Sequence, residues 1–271
     1  MPCWVNGVPA EGVPVRDRGL AYGDGLFETI SVRQGRARLL DRHLQRLQLG
    51  CQRLQIPLGI DSLRAEISSF AMQVGDGVAK LIVTRGSGMR GYAFPQPQQA
   101  LRILQGSPLP DYPAAHAEQG VKLFSCATRL AEQPLLAGIK HLNRLEQVLA
   151  RAEWQDPGYA EGLMQDHSGR VIEGVSSNLF MVDAGQLLTP ALQRCGVAGV
   201  MRAEIIEQSE RLGITCAVRD IGLAELMEAD EVFLCNSLFG IWPVRELAGR
   251  VWERGELTRI LQNNLHDLLG G

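Results

Sequence analysis

Lysine is scarce in this chain, and the scarcity carries chemical information. Of 27 basic residues only Lys80, Lys122 and Lys140 are lysines, and the other 24 are arginines. Where a positive charge suffices the chain uses Arg. A retained Lys therefore points to work that a permanently protonated guanidinium cannot do, namely nucleophilic attack or proton abstraction by a neutral amine. Lys80 and Lys122 lie in short apolar runs that read as strands. Lys140 sits in Leu136-Ala137-Gly138-Ile139-Lys140-His141-Leu142-Asn143, between a proline-containing loop and a periodic helical stretch. An amine held at such a junction is placed to add to a carbonyl. Read alone, Lys140 fits a surface charge in an arginine-biased chain equally well.

Other residues carry compatible chemistry. Glu173 follows the turn Ser168-Gly169 and precedes the small residues Gly174, Ser176 and Ser177. A carboxylate at a strand end beside such a loop can hold a ring N–H and turn that ring into an electron sink; without context it equally fits a solvated strand end. Gly196-Val197-Ala198-Gly199-Val200-Met201-Arg202 leads into an amphipathic helix, and backbone amides there can approach a phosphate. Asn236-Ser237, after an apolar strand, offers a further hydroxyl and amides. His43 and Arg46 share one helix face that is otherwise apolar, and an Arg there calls for an anion, a phosphate being one candidate. Thr84 to Tyr92 holds Arg85, Arg90 and three glycines after a strand. No helix follows closely, so a substrate-gripping loop fits better than a nucleotide cradle. Tyr22, Asp24 and Glu28 flank a Gly-Asp-Gly turn that either lines a pocket or simply closes tightly.

These groups need a scaffold, and composition bounds it. The chain has 271 residues, 45% apolar and 21% charged, with net charge −3, which suits one large or two ordinary globular domains. No basic stripe suggests nucleic acid. No run of 18 apolar residues suggests a membrane span, and Met1 to Gly7 lacks the features of a signal peptide. Six cysteines without CxxC spacing argue against a disulfide framework or a metal site. They are expected to be reduced thiols of a cytoplasmic enzyme.

Strands are expected at 78–84, 101–104, 121–126, 160–166, 170–175, 178–183, 186–189, 214–218 and 231–235, and the loosely alternating run Leu26 to Val32 leads to a hairpin turn at Gln34-Gly35. Helices are expected from Asp41, after Asp61, and at 141–155, 200–212 and 256–269. Three prolines within 107–115 mark a linker. The expected organisation is an N-terminal α+β domain at 1–107, a linker at 108–118 and a C-terminal α+β domain at 119–271 carrying Lys140, with the active site between the domains.

Taken in order, Asp17-Arg18, Tyr22-Gly23-Asp24-Gly25-Leu26-Phe27-Glu28, His43-Leu44-Gln45-Arg46-Leu47, Arg85 to Tyr92, Lys140, Glu173, Asn178-Leu179-Phe180 and Gly196 to Arg202 resemble the fold type IV pyridoxal-phosphate enzymes. That family includes branched-chain aminotransferases, D-amino acid aminotransferases and 4-amino-4-deoxychorismate lyases. The run Leu136 to Leu149 is similar to the lysine segment of the lyase branch. The resemblance implies pyridoxal 5′-phosphate on Lys140, with Glu173 at the pyridine nitrogen. Arg46, Ser177, Asn178, Gly199, Val200, Met201, Asn236 and Ser237 would also bind the cofactor. Arg90, Tyr92, Tyr22, Glu28 and Lys80 would face the substrate. The implied reaction turns 4-amino-4-deoxychorismate into 4-aminobenzoate and pyruvate, in a cytoplasmic homodimer with no nucleic-acid, membrane or metal partner. Two alternatives stay open: an aminotransferase for D- or branched-chain amino acids, and a non-catalytic pyridoxal-phosphate binder.

Overall fold

The computed structural model describes residues 1–269. The chain forms two compact units. One holds Met1–Pro110 together with the short segment Ile139–Asn143. The other holds Asp111–Gly138 and Arg144–Asp267.

The first unit runs β1 (Cys3–Val5), β2 (Val8–Pro9), α1 (Arg18–Tyr22), β3 (Gly25–Arg33), β4 (Arg36–Ala37), α2 (Leu40–Leu54), α3 (Ile60–Val74), β5 (Gly77–Thr84) and β6 (Leu101–Ser107). Its six strands form one sheet in the order β2-β1-β6-β5-β3-β4. The β3–β4 hairpin turns at Gln34 and Gly35 with φ of 51° and 70°. Two positive φ values match the right-handed twist of the flanking strands, and Gly35 adopts one without steric cost. Alternation in β3 sends Ile30 and Val32 into the core, where Leu81 and Leu104 from the neighbouring strands and Leu63, Ile67 and Phe70 from α3 are all fully buried. Trp4 closes the layer edge-on to Phe70, with ring centroids 5.3 Å apart. The helix expected to be capped by Asp41 starts one residue earlier, and Asp41 instead lies in its first turn, where its charge complements the helix dipole.

The second unit runs α4 (Ala114–Gln119), β7 (Val121–Leu130), α5 (Leu145–Arg151), β8 (Tyr159–Asp166), β9 (Val171–Gly174), β10 (Asn178–Asp183), β11 (Gln186–Pro190), α6 (Val200–Arg211), β12 (Cys216–Arg219), α7 (Leu223–Glu228), β13 (Glu231–Asn236), β14 (Gly240–Leu247), β15 (Arg250–Val251) and α8 (Glu256–Leu265). Strands pair in the order β12-β11-β10-β13-β14-β7-β8-β9, with β15 on β14. Parallel and antiparallel pairs mix in this sheet. The architecture is α+β, as expected. The core gathers Leu123, Leu179, Met181, Leu234 and Trp242, and a satellite cluster joins Cys126, Trp154, Met164 and Ile172.

Three expectations about the chain are corrected. The supposed linker 108–118 is helical from Ala114 onward. The helix expected at 141–155 is confined to Leu145–Arg151. Residues 140–142 before it are taken up in backbone pairing with β3. For the same reason Lys140 groups with the first unit, not with the C-terminal part that carries it in sequence.

Candidate active site

Lys140 is fixed by backbone, not by helix formation. The Phe27 amide donates to its carbonyl oxygen at 2.9 Å, and the Leu142 amide donates to the Gly25 carbonyl at 3.0 Å. His141 bridges Leu26, and Asn143 Nδ2 donates to the Gly23 carbonyl at 3.2 Å. The segment Ile139–Asn143 thus runs as a strap along the start of β3. This presents the Lys140 ammonium over the Phe27 ring, 4.4 Å from its centroid. Lys80 lies over the same ring at 5.8 Å. Lys80 was expected in a strand, facing the substrate. It is exposed, because it falls on the outward-facing register of β5, opposite Thr29.

Beside the strap, Glu28 is 1% exposed. Its carboxylate accepts Nδ1 of His43 at 2.6 Å and Nε of Arg46 at 2.8 Å, and Nη2 of Arg46 closes the fork on it. Burial alone would raise the pKa of Glu28. The Arg46 charge and the His43 contact outweigh it and bring the value down to about 2. Burial pushes His43 in the opposite direction, below the usual imidazole range, against the pull of Glu28. Neutral His43 therefore sits between a carboxylate and a guanidinium, and its Nε2 is buried with no hydrogen-bond partner. Glu28 was expected to face substrate. Its carboxylate is instead consumed inside the unit, as the anion that the His43/Arg46 face of α2 called for.

The loop after β5 collects Tyr22, Arg90 and Tyr92. Tyr22 and Tyr92 have ring centroids 5.4 Å apart, and Arg90 is exposed beside them in sequence.

In the second unit, Glu173 on β9 is 4% exposed. Its Oε2 accepts the Val197 amide at 2.8 Å. Asn178, at the start of β10, donates Nδ2 to the Val197 carbonyl at 2.8 Å. Both faces of one peptide segment are thus held, which fixes the loop leading to α6. Gly138 also pairs with that loop, through Gly196 and Ala198. Gly199 starts α6 with no capping side chain. A Cβ on Gly199 would lie 1.9 Å from Asn178 Oδ1, so only glycine fits. The helix start is left with backbone amides and no acidic residue in its first turn, a donor set suited to an anion.

Ser177 gives its hydroxyl to Glu161 at 3.2 Å, and Ser176 does the same at 2.6 Å. Glu161 is a buried carboxylate that sequence reading missed. Burial raises its pKa, partly opposed by these donors. Asn236 accepts the Leu238 and Phe239 amides at 2.9 and 3.0 Å and donates to the Ser176 carbonyl at 3.3 Å. Its side chain therefore shapes the turn carrying Ser237. Arg18 and Arg85 were also missed as structural cations. Both converge on Asp24, Arg18 through one contact at 2.8 Å and Arg85 through a fork at 2.8 and 2.9 Å. The sequence hinted only at Arg18, which lies six residues before Asp24; Arg85 is 61 residues away and gave no local signal.

Among the described residues no group of three His, Cys, Asp or Glu is arranged to hold a metal. No described helix is long and apolar enough to cross a membrane.

A lysine pinned to a strand, a buried carboxylate locked to the loop before a helix, and a glycine-started helix lie in this order along a chain whose residues 25–247 match the amino-transferase class IV family. The chain belongs to that family. It is 38% identical to the aminodeoxychorismate lyase of Vibrio harveyi over 97% of this chain and 99% of that one. It is 31% identical to a putative branched-chain-amino-acid aminotransferase of Methanocaldococcus jannaschii over 94% and 91%. The crystal structure of 4-amino-4-deoxychorismate lyase from Pseudomonas aeruginosa is 64% identical, covers 98% of both chains and superposes with a TM-score of 0.97.

Proposed function

We propose that this protein is a pyridoxal-phosphate-dependent carbon–oxygen lyase that converts 4-amino-4-deoxychorismate to 4-aminobenzoate and pyruvate. The observation that carries this reading is the match to the Pseudomonas lyase over almost the whole of both chains. The residues suit the cofactor: an uncapped helix start at Gly199 for its phosphate, a buried carboxylate in Glu173 for its ring nitrogen, and a lysine in Lys140 for its carbonyl. When bound, pyridoxal phosphate supplies a carbonyl that condenses with amines and a protonated ring that accepts an electron pair.

In this proposal Lys140 Nζ has two tasks. Its amine would hold the cofactor through the cofactor's carbonyl, and as a free amine it would take the proton from the substrate carbon that bears the amino group. Glu173 keeps a proton on the ring nitrogen. Its own position is fixed by the Val197 amide, so no reorientation is needed during reaction. Arg46, whose Nε and Nη2 are braced on Glu28, would meet the phosphate from its remaining side, with the Val200 and Met201 amides and the Ser237 turn, while Asn178, Ser177 and Asn236 set the loops that present them. Loss of the proton lets the enolpyruvyl C–O bond break and the ring become aromatic. A proton then returns to the enolpyruvate carbon to give pyruvate. Substrate and products balance without water or a keto-acid acceptor. Arg90 is the first cation proposed to meet the substrate's carboxylates, with Tyr92, Tyr22 and exposed Lys80 around it.

The reading extends to a homodimer in the cytoplasm. All six cysteines are free thiols. Leu145, Val148 and Leu149 form an exposed apolar face on α5. Light scattering that returns a monomer mass at full activity refutes the dimer.

The deciding experiment gives the purified enzyme 4-amino-4-deoxychorismate and measures 4-aminobenzoate and pyruvate, which should appear in equal amounts. The same preparation is then given D-alanine or a branched-chain amino acid with a keto acid. An α-amino acid carries its carboxylate on the reacting carbon, whereas the aminochorismate carries its carboxylates elsewhere. Misplacement by about 1 Å can cost about 100-fold, so transamination should be far slower. If its kcat/KM exceeds that for the aminochorismate, the protein is an aminotransferase.

A further inference from the structure

Residues 85–100 contain no helix and no strand beyond an isolated bridge between Asp17 and Ser87. This is nonetheless the segment that carries Arg90 and Tyr92. Two nearly buried guanidiniums hold it. Arg85 forks onto Asp24, donates Nη1 to Gln98 Oε1 at 2.8 Å, and lies 3.8 Å from the centroid of Phe94. Arg18, the first residue of α1, donates Nε to the same Asp24 oxygen at 2.8 Å. Its remaining nitrogens reach three successive backbone carbonyls: Nη1 donates to Gly91 at 2.9 Å and to Ala93 at 3.3 Å, and Nη2 donates to Tyr92 at 3.3 Å.

The charge balance explains why carbonyls gather there. Two guanidiniums share one carboxylate, and the excess positive charge is met by backbone dipoles that turn inward. Tyr22 adds to the hold, since its Oη accepts the Gly91 amide at 3.3 Å. With the carbonyls turned in, the side chains turn out, and Tyr92 is 83% exposed. Arg18 itself is rigidly seated. α1 is capped by Asp17, which accepts the Gly19 amide and also the Thr84 hydroxyl, and the Arg18 amide donates to Gly86.

We propose that Arg18 is a positioning residue for substrate recognition. By holding the carbonyls of Gly91, Tyr92 and Ala93 it keeps the adjoining loop backbone in the one conformation that presents Arg90 to a substrate carboxylate. The loop's ordering cost is then met on folding and not at each binding event. The inference rests on the reading of Arg90 as a carboxylate-gripping cation, and it adds a residue that touches neither substrate nor cofactor.

The test uses the holoenzyme and four variants: Arg18→Gln, Arg18→Lys, Arg90→Ala and the double variant Arg18→Gln/Arg90→Ala. Arg18→Gln leaves no buried charge unpaired, because Asp24 keeps Arg85. Arg18→Lys keeps the charge beside Asp24 but replaces the planar fork with a point donor that cannot span three carbonyls. Both Arg18 variants should raise KM for the aminochorismate about tenfold, with kcat within about twofold, as loop ordering returns to the binding step. Tryptic cleavage of the native enzyme at Arg90–Gly91, followed by mass mapping, should quicken about tenfold, tracking the population of the opened loop. On the Arg90→Ala background the Arg18→Gln change should add less than about twofold to KM, because coupled residues are not additive. Unchanged cleavage in the Arg18 variants overturns the clamp. Faster cleavage with an unchanged KM, or KM effects that simply multiply in the double variant, overturns the positioning role. An Arg90→Ala enzyme with wild-type KM overturns the gripping reading and with it the substrate role of Arg18, while cleavage still decides whether the clamp exists.

Discussion

Replacing Glu28 by Gln tests the cluster beneath the lysine strap. In the folded protein the carboxylate is buried with His43 and Arg46, and its pKa falls from 4.5 to about 2. A depression of about 2.5 units at 1.36 kcal/mol each is about 3 kcal/mol of stability. Because the folded value is the lower one, this contribution is complete above the unfolded value of 4.5 and drains away as pH falls toward 2. The variant also leaves the Arg46 guanidinium, whose side chain is 10% exposed, without its carboxylate, and breaking one side of a buried pair costs about 3–5 kcal/mol. Urea unfolding of the first unit at pH 7 should therefore show Glu28→Gln weaker by about 3 kcal/mol or more. The gap should narrow by about 3 kcal/mol as both proteins are taken to pH 2, where the wild-type carboxylate is half protonated or more. A gap below about 1 kcal/mol at pH 7, or one that stays constant from pH 7 to pH 2, refutes the assignment of a charged, load-sharing carboxylate at Glu28.

Further outcomes are expected at the site itself. Lys140→Ala and Lys140→Arg should both lose nearly all turnover, and borohydride treatment of the wild-type holoenzyme followed by peptide mapping should mark Lys140; a mark on Lys80 or Lys122 points to the wrong lysine. Glu173→Gln should still bind cofactor but slow proton abstraction by a few kcal/mol, on the order of 100-fold or more, and activity within about twofold of wild type removes Glu173 from the ring nitrogen. Gly199→Ala must displace Asn178, whose Oδ1 would lie 1.9 Å from the new Cβ. Cofactor affinity measured by fluorescence titration should drop about tenfold or more, equivalent to about 1.4 kcal/mol, and an unchanged affinity means the α6 start does not hold the phosphate.

Local pattern made most elements legible. β10 occupies the bounds expected for it, Asn178–Asp183, and the Gln34-Gly35 turn follows from two residues able to take positive φ. β14 escaped because Pro243 lies inside it. A proline lacks the ladder donor and normally argues against a central strand, yet here the ladder shifts register beside it, between Val244 and Glu246. α1 was not anticipated, since its five residues, Arg18–Tyr22, show no helical period. The site was legible in residue type more than in partnership. The His43/Arg46 face correctly announced an anion, but the chain's own Glu28, on the neighbouring strand, takes that place in the structure. Lys140 was recognisable by its rarity, while its attachment to β3 depends on hydrogen bonds spanning more than a hundred residues, which no local pattern encodes.

The strap has a consequence for how the protein is made. Residues 139–143 belong to the first unit, yet they leave the ribosome roughly thirty residues after Pro110. At about 5–20 residues per second this is a delay of about 2–6 s. Throughout that interval the start of β3 lacks the backbone partners it will have at Lys140 and Leu142, and its amide and carbonyl at Phe27 and Gly25 stay open to other strands. The nascent N-terminal half is therefore exposed to mispairing until the lysine segment emerges. A gene truncated after residue 110 would leave that edge open permanently.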